Sequence, residues 1–382
     1  IDYSEITSSD FHLFKTNYVF DASFFELFTH LCVGATIQVT RYLFEIRELE
    51  KLLFSKKFTS LHLVPSQYDL VSSIINSIEL RKIYFSGEAL TSKILSGLSR
   101  DIRIYNYYGP TELGEITAFN PQEPAAASII GKLFPNCRQY ILDNNRVPVP
   151  VGVLGELYIG GAGLSRGYLN RDELTLERFV ENRFATEDDK LKGYTRLYKT
   201  GDLVRWLADG NIEYIGRNDD QVKIRGYRIE LGEIEHALSS VAGIKQSCVL
   251  ALEKDTGSGS IKYLAGYYVL ENDTEAISSS SILDKLSHVL PDYMVPAVFV
   301  ELESFPLTVN GKLDKRSLPD PDFGSDEASY VAPRSLIEKE VSKIWESVLG
   351  LTHISVTDNF FRIGGDSILS IQVSGRLRQS GY

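Results

Sequence analysis

The sequence predicts an α/β unit with an appended β barrel, then a small α+β unit and an all-α segment. Three observations predict this. Short apolar runs alternate with helical patterns over residues 1–120, as in a mostly parallel sheet. Over residues 121–217 the texture turns to closely spaced β runs and turns. A linker rich in Pro, acidic and small residues, 319–333, then separates a last helical stretch, 334–382, from the α+β unit at 218–318.

The elements follow in order. Leu61-His62-Leu63-Val64 and Ile83-Tyr84-Phe85 read as buried strands, and 48–55 and 91–98 as helices. In the second stretch, 140–142, 155–159 and 203–206 read as strands, with Asp209-Gly210 as a hairpin turn. The third carries a helix over 231–239 and strands over 247–253 and 263–270; 256–260 and 278–281 are polar and loop-like. In the last, Ser335-Leu-Ile-Glu338 is a capping box opening a helix whose apolar positions Ile337, Val341, Ile344, Trp345 and Val348 keep helical spacing. A second helix starts near Ser367.

Composition narrows the function classes. A length of 382 residues allows two or three domains, and 21 Tyr with 19 Phe exclude a disordered or collagen-like chain. No apolar run approaches the ~18 residues that cross a bilayer, and the start has no signal-peptide pattern. A net charge of −11 argues against a nucleic-acid partner. Cys32, Cys137 and Cys248 have no metal spacing and form at most one bridge, which fits a cytoplasmic setting. The sole methionine is Met294, so a chain beginning at Ile1 reads as a piece of something longer.

Several segments carry chemistry. Asn106-Tyr-Tyr-Gly-Pro-Thr-Glu112 follows a short strand and sets a hydroxyl and a carboxylate at a strand's carboxyl end, where open α/β sheets bind ligands. Thr111 suits a phosphate contact and Glu112 suits Mg²⁺, although alone the segment reads as an ordinary turn. The glycines of 155–168 miss the dinucleotide fingerprint and are assigned to tight β turns. In Tyr198-Lys-Thr-Gly-Asp202, a carboxylate on a glycine turn matches two ribose hydroxyls; the alternative is an Asp satisfying its own turn. The stretch 216–235 is the densest signal, with four basic and five acidic residues around Gly226 and Gly232. Asn310-Gly-Lys312 is a turn presenting a lysine, by itself a solvated one. In Phe361-Arg-Ile-Gly-Gly-Asp-Ser367, a serine sits where loop becomes helix, a position that stabilises a phosphodiester or simply caps the helix.

Together with Phe20-Asp-Ala-Ser23, these segments resemble, in order, the adenylation domain of a nonribosomal peptide synthetase followed by its peptidyl carrier domain. The adenylation part is similar to the acyl-CoA synthetase and luciferase-like, AMP-binding superfamily. The resemblance implies a large adenylation subdomain over 1–217, a small mobile lid over 218–318 and a helix-bundle carrier over 334–382. It implies that an amino acid is activated as aminoacyl-AMP with ATP and Mg²⁺, then passed to a 4'-phosphopantetheine thiol on Ser367.

By position, Asn106, Tyr108 and Tyr214 are expected near adenine, Asp202 with Arg217 at the ribose, Thr111 at phosphate and Glu112 at Mg²⁺. Lys312 is expected to bridge the substrate carboxylate and the AMP oxygens, where charge shifts during attack. Asp219 is expected as the hinge and Arg225-Gly226 as the loop that meets the thiol. The pocket positions are Asp21, Ala22, Phe25, His62, Tyr84, Ser86, Tyr107, Glu115, Ile116 and Lys312. Asp21 is expected to pair with the α-ammonium, Ser23 and Glu26 serving as the helix cap instead. Glu115 and His62 among aromatic walls suggest a polar or cationic substrate side chain, although His62 or a tyrosine hydroxyl satisfies a buried carboxylate equally well.

The family's Ser/Thr/Gly-rich phosphate loop does not occur in this sequence, and the carrier stops at Tyr382, soon after the serine helix. As a physical fragment the chain is therefore expected to activate ATP weakly or not at all. Two rival readings are a free-standing acyl-CoA ligase, which needs no carrier, and a non-catalytic carrier or docking module with a decayed adenylation remnant. Expected partners are neighbouring condensation or other synthetase domains, a phosphopantetheinyl transferase and an MbtH-like protein.

Overall fold

The computed structural model describes residues 4–40, 46–256, 259–271, 277–308, 313–321, 330–351, 354–360, 363, 365 and 367–382. They form two compact units, Ile1–Asp219 and Asp220–Tyr382.

Unit 1 begins with five parallel strands: β1 (Phe11–Phe14), β2 (Thr36–Val39), β3 (Ser60–Leu63), β4 (Lys82–Phe85) and β5 (Arg103–Tyr108), in the order β2-β1-β3-β4-β5. Between β1 and β2 lie α1 (Ala22–Phe24), a π turn (Phe25–Thr29) and α2 (His30–Cys32). The later crossovers are α3 (Ile46–Ser55), α4 (Pro65–Ile75) and α5 (Ser92–Gly97). Side chains alternate across the sheet, so its two faces differ. Leu13, Leu61, Leu63, Ile83, Phe85 and Ile104 pack against Leu53, Val71, Ile75 and Leu95 of α3, α4 and α5. The opposite face carries buried His12, Ser60, His62, Tyr84, Tyr105 and Tyr107.

The sheet continues in antiparallel strands through β6 (Thr117–Phe119), β7 (Ile129–Leu133), β8 (Cys137–Leu142), β9 (Gly155–Gly161), β10 (Phe179–Glu181), β11 (Arg196–Trp206) and β12 (Ile212–Arg217). Helices α6 (Asp172–Arg178) and α7 (Glu187–Leu191) flank β10. The hydrogen-bonded order β5-β6-β7-β12-β11-β9-β8 makes this β part a continuation of the first sheet. Its apolar centre includes Ile130, Ile141, Leu157, Ile159, Val204 and Ile212. The expected hairpin turn at Asp209-Gly210 joins β11 to β12, Asp209 Oδ1 accepting from Asn211 N at 2.9 Å.

Unit 2 opens with a hairpin of β13 (Gln221–Ile224) and β14 (Tyr227–Glu230). It continues with α8 (Leu231–Ser239), a long antiparallel pair of β15 (Ile244–Thr256) and β16 (Gly259–Leu270), α9 (Ser279–Ser287) and β17 (Val298–Glu301), which runs parallel to β16. Leu231, Ile234 and Leu238 bury one face of α8, as their spacing predicts. The loop expected over 278–281 is instead a helix start. Ser278 Oγ accepts from Ser281 N at 3.2 Å, while Ile282 and Leu286 bury the following turns. The last stretch carries α10 (Leu336–Leu349) and α11 (Ser367–Gln379), packed through Ile344, Val348, Leu369 and Val373. The Ser335/Glu338 capping box is present at the start of α10. Among the described residues, no helix is long and apolar enough to cross a membrane.

Candidate functional site: a buried tyrosine–carboxylate corner

The carboxyl end of β5 runs into a tight turn. An added Cβ on Gly109 would lie 1.9 Å from the Gly114 carbonyl oxygen, so only glycine lets the chain fold back here. The turn buries Glu112 and leaves Thr111 exposed. Glu112 Oε1 accepts hydrogen bonds from the Tyr198 hydroxyl, at 2.9 Å, and from the Tyr168 hydroxyl. Burial and the Glu112 carboxylate raise the Tyr168 phenol well above its ordinary value, which keeps it a donor.

Asn106 and Tyr108 point away from Tyr105 and Tyr107, as strand alternation requires. Buried Asn106 donates from Nδ2 to the Ile129 carbonyl at 2.9 Å. The Tyr108 hydroxyl donates to Asp202 Oδ2 at 2.5 Å. The β11–β12 register sets Asp202 directly opposite Arg217, and Arg217 Nη1 donates to Asp202 Oδ1 at 2.7 Å. The same guanidinium grips Asp219 from Nε and Nη2, at 2.7 and 2.8 Å, and donates from Nη2 to the Thr200 carbonyl at 3.0 Å. Gly201 makes this corner possible: at φ +79°, an added Cβ would lie 2.5 Å from Asp219 Oδ2 and 2.7 Å from Arg217 Nη2. Tyr214 is half-buried beside the same apolar centre as Tyr108, and burial pushes its phenol up to about 12.

The aromatic pocket positions also come together. Phe25 lies 5.2 Å from Tyr84 and 4.8 Å from Tyr107, centroid to centroid. The Tyr107 hydroxyl pairs with Ser4 Oγ. His62 Nδ1 lies 2.8 Å from Glu26 Oε1, and His62 Nε2 lies 2.9 Å from Ser86 Oγ. The carboxylate bonded to His62 is therefore Glu26, while Glu115 is half-buried and Ile116 is buried within the β part's apolar centre. The cap expectation also changes. Asp21 Oδ1 accepts from Ala22 N at 2.8 Å, Ser23 Oγ donates to the Tyr18 carbonyl, and Glu26 is committed to His62.

Comparison with known proteins supplies the family. A model of the AMP-binding enzyme matches residues 2–169, one of its C-terminal domain matches 233–312, and one of the phosphopantetheine attachment site matches 339–381. The chain belongs to the AMP-binding enzymes, as a nonribosomal peptide synthetase adenylation–carrier segment. It is 43% identical to a mycosubtilin synthase polypeptide of Bacillus subtilis, over 96% of this chain and 14% of that polypeptide. It is 41% identical to a linear gramicidin synthase polypeptide of Brevibacillus parabrevis, over 100% of this chain and 5% of that polypeptide. The chain thus spans only a small part of these relatives. A solved NRPS protein containing adenylation and PCP domains, bound to a vinylsulfonamide inhibitor, shares the fold at TM-score 0.78 and 24% identity, covering 100% of this chain and 63% of that one. A four-domain nonribosomal peptide synthetase bound to AMP and glycine aligns at 34% identity and TM-score 0.52, covering 99% of this chain and 28% of that one.

Three sequence-predicted positions of this adenylation–carrier segment lie in unit 2 or outside the described residues. Lys312 is outside them. Ser367 opens α11. Arg225-Gly226 forms the two-residue β13–β14 turn, both residues at positive φ (55° and 78°), the geometry that suits a tight hairpin. Sequence reasoning missed Tyr168, Tyr198 and Glu26 as partners. Tyr168 and Tyr198 lie inside quoted motifs, but their meeting with Glu112 across 56 and 86 residues depends on the strand order.

Proposed function

We propose that this adenylation–carrier segment joins an amino acid to AMP and then loads it onto its own carrier. The observation that carries the proposal is the corner in which Tyr108, Asp202 and Arg217 are hydrogen-bonded together, two buried tyrosine-bound carboxylates belonging to the same unit. In the reaction, a carboxylate oxygen of the amino acid attacks the α-phosphorus of ATP. The bond to the bridging oxygen breaks and pyrophosphate leaves.

Asp202 and Arg217 suit the ribose hydroxyls, because a carboxylate accepts from two adjacent O–H groups while the guanidinium fixes its orientation. Asn106, Tyr108 and Tyr214 are assigned to adenine, and Thr111 to phosphate. Among the described residues, no cluster of three His, Cys, Asp or Glu side chains could hold a metal. Mg²⁺ is held by one or two carboxylates beside substrate phosphates, and Glu112, oriented by two phenols, is assigned that place. Mg²⁺ there supplies neutralisation of phosphate charge. Lys312 is assigned to the developing charge between carboxylate and phosphate. Asp21 is assigned to the substrate ammonium, with Ala22, Phe25, His62, Tyr84, Ser86, Tyr107, Glu115 and Ile116 around its side chain.

For the second step, Ser367 would hold phosphopantetheine, whose thiol would be the acceptor. As the carbon–sulfur bond forms, the bond from the aminoacyl carbon to the phosphate oxygen breaks and AMP leaves with the thiol proton lost. Asp219 is assigned as the hinge and Arg225-Gly226 as the loop that meets the carrier. The domains are proposed as 1–217, with the β part closing as a barrel, then 218–318, a linker 319–333 and a helical-bundle carrier from 334. Neighbouring condensation domains, a phosphopantetheinyl transferase and an MbtH-like protein are the proposed partners, in the cytoplasm.

The test is ATP–pyrophosphate exchange against a panel of amino acids, by this segment joined to the family's upstream phosphate loop. Mass spectrometry after incubation with a phosphopantetheinyl transferase and coenzyme A accompanies it. Exchange with at least one amino acid, and a phosphopantetheine adduct on Ser367, are expected. No exchange with any amino acid, or a folded carrier left unmodified, would refute the corresponding step.

A further inference from the structure

Next to the aromatic pocket positions lies a buried polar layer, of which His62 and Ser86 have been given a place above but the carboxylate behind them has not. The layer is built on Glu26, which is fully buried in the π turn between α1 and α2. Both of its carboxylate oxygens are engaged. Oε1 accepts from His62 Nδ1 at 2.8 Å and Thr16 Oγ1 at 2.5 Å; Oε2 accepts from Lys15 N at 3.1 Å and Thr16 N at 3.3 Å. The two backbone amides at Oε2 can only donate, and four donors gathered on one carboxyl suit its ionised form. Accordingly, hydrogen bonding and the nearby His62 and Lys15 hold its carboxyl down at about 2 against the opposing effect of burial. His62 Nδ1 must then carry a proton.

Other polar groups pack in the same layer. Lys15 is buried on the same layer, with its side-chain nitrogen 2.9 Å from Gln67 Oε1; burial lowers its pKa and the Glu26 charge opposes that. His12 and His30 stack at 3.9 Å alongside, and burial lowers both imidazoles, keeping them neutral. His30 Nδ1 donates to the backbone carbonyl of Glu26 at 2.8 Å. The Nδ1–H tautomer that faces Glu26 leaves Nε2 as an acceptor, for which the Ser86 hydroxyl, 2.9 Å away, is the donor. The lone pairs of Ser86 then remain as acceptors.

We propose that Glu26 is a specificity-determining positioning residue. It holds His62 as the Nδ1–H tautomer, so that the His62–Ser86 pair selects an amino acid whose side chain bears an N–H or O–H donor. The proposal rests on the adenylation reading for its substrate and on the Glu26–His62–Ser86 geometry for its relay. Glu26→Gln breaks the relay with little change in volume. An amide has one acceptor oxygen where the carboxylate has two, so its NH₂ would face either the Lys15 and Thr16 amides or the imidazole.

Two measurements test this. The first is ¹⁵N NMR of histidine-labelled protein, with His62 assigned by His62→Gln. The expected spectrum has a protonated Nδ1 and an unprotonated Nε2 at neutral pH. The reverse tautomer, or protonation of both nitrogens, overturns the proposal. The second is ATP–pyrophosphate exchange, by the segment joined to the upstream phosphate loop, with tyrosine against phenylalanine, threonine against valine and lysine against norleucine. The donor member of the preferred pair should lead by about tenfold or more in kcat/KM, the effect of one buried hydrogen bond to substrate. Glu26→Gln should cut that lead to about threefold or less. A preferred substrate without a donor, or an unchanged lead in Glu26→Gln, overturns the proposal. Exchange with no amino acid would refute adenylation itself, while the tautomer still decides whether Glu26 sets His62.

Discussion

Replacing Arg217 by alanine should destabilise unit 1 by about 3 kcal/mol, and replacing it by lysine by about half as much. Arg217 donates to Asp202, to both oxygens of Asp219 and to the Thr200 carbonyl. Its own side chain is 11% exposed, that of Asp202 8% and that of Asp219 24%. Removing one member of a buried ion pair costs roughly 3–5 kcal/mol, because the other charge stays buried. Asp202 keeps the Tyr108 hydroxyl, which pulls the figure to the low end. The more exposed Asp219 pair adds about 0.5 kcal/mol or less. Lysine keeps the charge but has no fork, so it serves one carboxylate and forfeits about two hydrogen bonds at roughly 1 kcal/mol each, less what the retained charge returns. Urea unfolding is the assay. With a slope of about 2–3 kcal/mol/M for a unit of this size, alanine should move the midpoint by about 1 M. A double-mutant cycle with Asp202→Asn should give a coupling of about 2 kcal/mol. A coupling below about 0.5 kcal/mol, or lysine and alanine costing the same, would refute the assignment of Arg217 as a shared clamp.

Gly109→Ala should leave unit 1 unfolded or lower its stability by about 3 kcal/mol or more, since backbone rather than side chain blocks the new Cβ; thermal melting reads this. Asp21→Asn should keep the helix start, since its amide oxygen still accepts from Ala22, yet raise the KM for the amino acid; Asp21→Ala should lose about 1 kcal/mol as well. Equal exchange kinetics in wild type and Asp21→Asn would remove the ammonium role. Asp10 is fully buried, and bonds from Lys82, Thr7 and Thr59 outweigh burial, lowering its carboxyl from 3.8 to about 2. A depressed carboxyl stabilises the fold above its unfolded value, so a contribution of about 1–2 kcal/mol should be present at pH 5 and disappear as pH falls from about 4 to 2. In Asp10→Asn, the acid-unfolding curve should lose that share of its slope, the share of Glu26, also held down at about 2, remaining.

Local pattern and long-range pairing differ in how far the sequence reveals them. The face of α8 follows from Leu231, Ile234 and Leu238, the start of α10 from Ser335 and Glu338, and the β11–β12 turn from Asp209-Gly210. Each depends on residues within about one or two turns of chain. The helix at Ser279–Ser287 escapes the same reasoning because three serines in its first turn look like a loop, and only the burial of Ile282 and Leu286 outweighs them. At the candidate site, the residue types of Glu112, Asp202 and Arg217 are readable, but their partners are not. Tyr108 meets Asp202 across 94 residues, and His62 meets Glu26 across 36. Glu115 had as good a claim to His62 by composition. The order β1-β3-β4 and the π turn decide for Glu26 instead.

The polar layer also bears on how the parallel sheet finds its register. Strands buried on both faces are usually apolar throughout, so a slip by one residue exchanges like for like. Here β3 reads Ser60-Leu61-His62-Leu63, with the leucines against the helices and the polar pair facing His12, His30 and Glu26. A one-residue slip would press Ser60 and His62 against Val71 and Ile75 and strand the leucines beside a carboxylate. At roughly 1–3 kcal/mol for each buried polar group left unpaired, Glu26, His62, Ser60 and Ser86 together penalise the wrong register by more than a typical single mutation costs. The groups proposed to select a substrate therefore also hold β3 in place, which is why Glu26→Gln, close in shape and still able to bond, is a better probe of selection than any truncation.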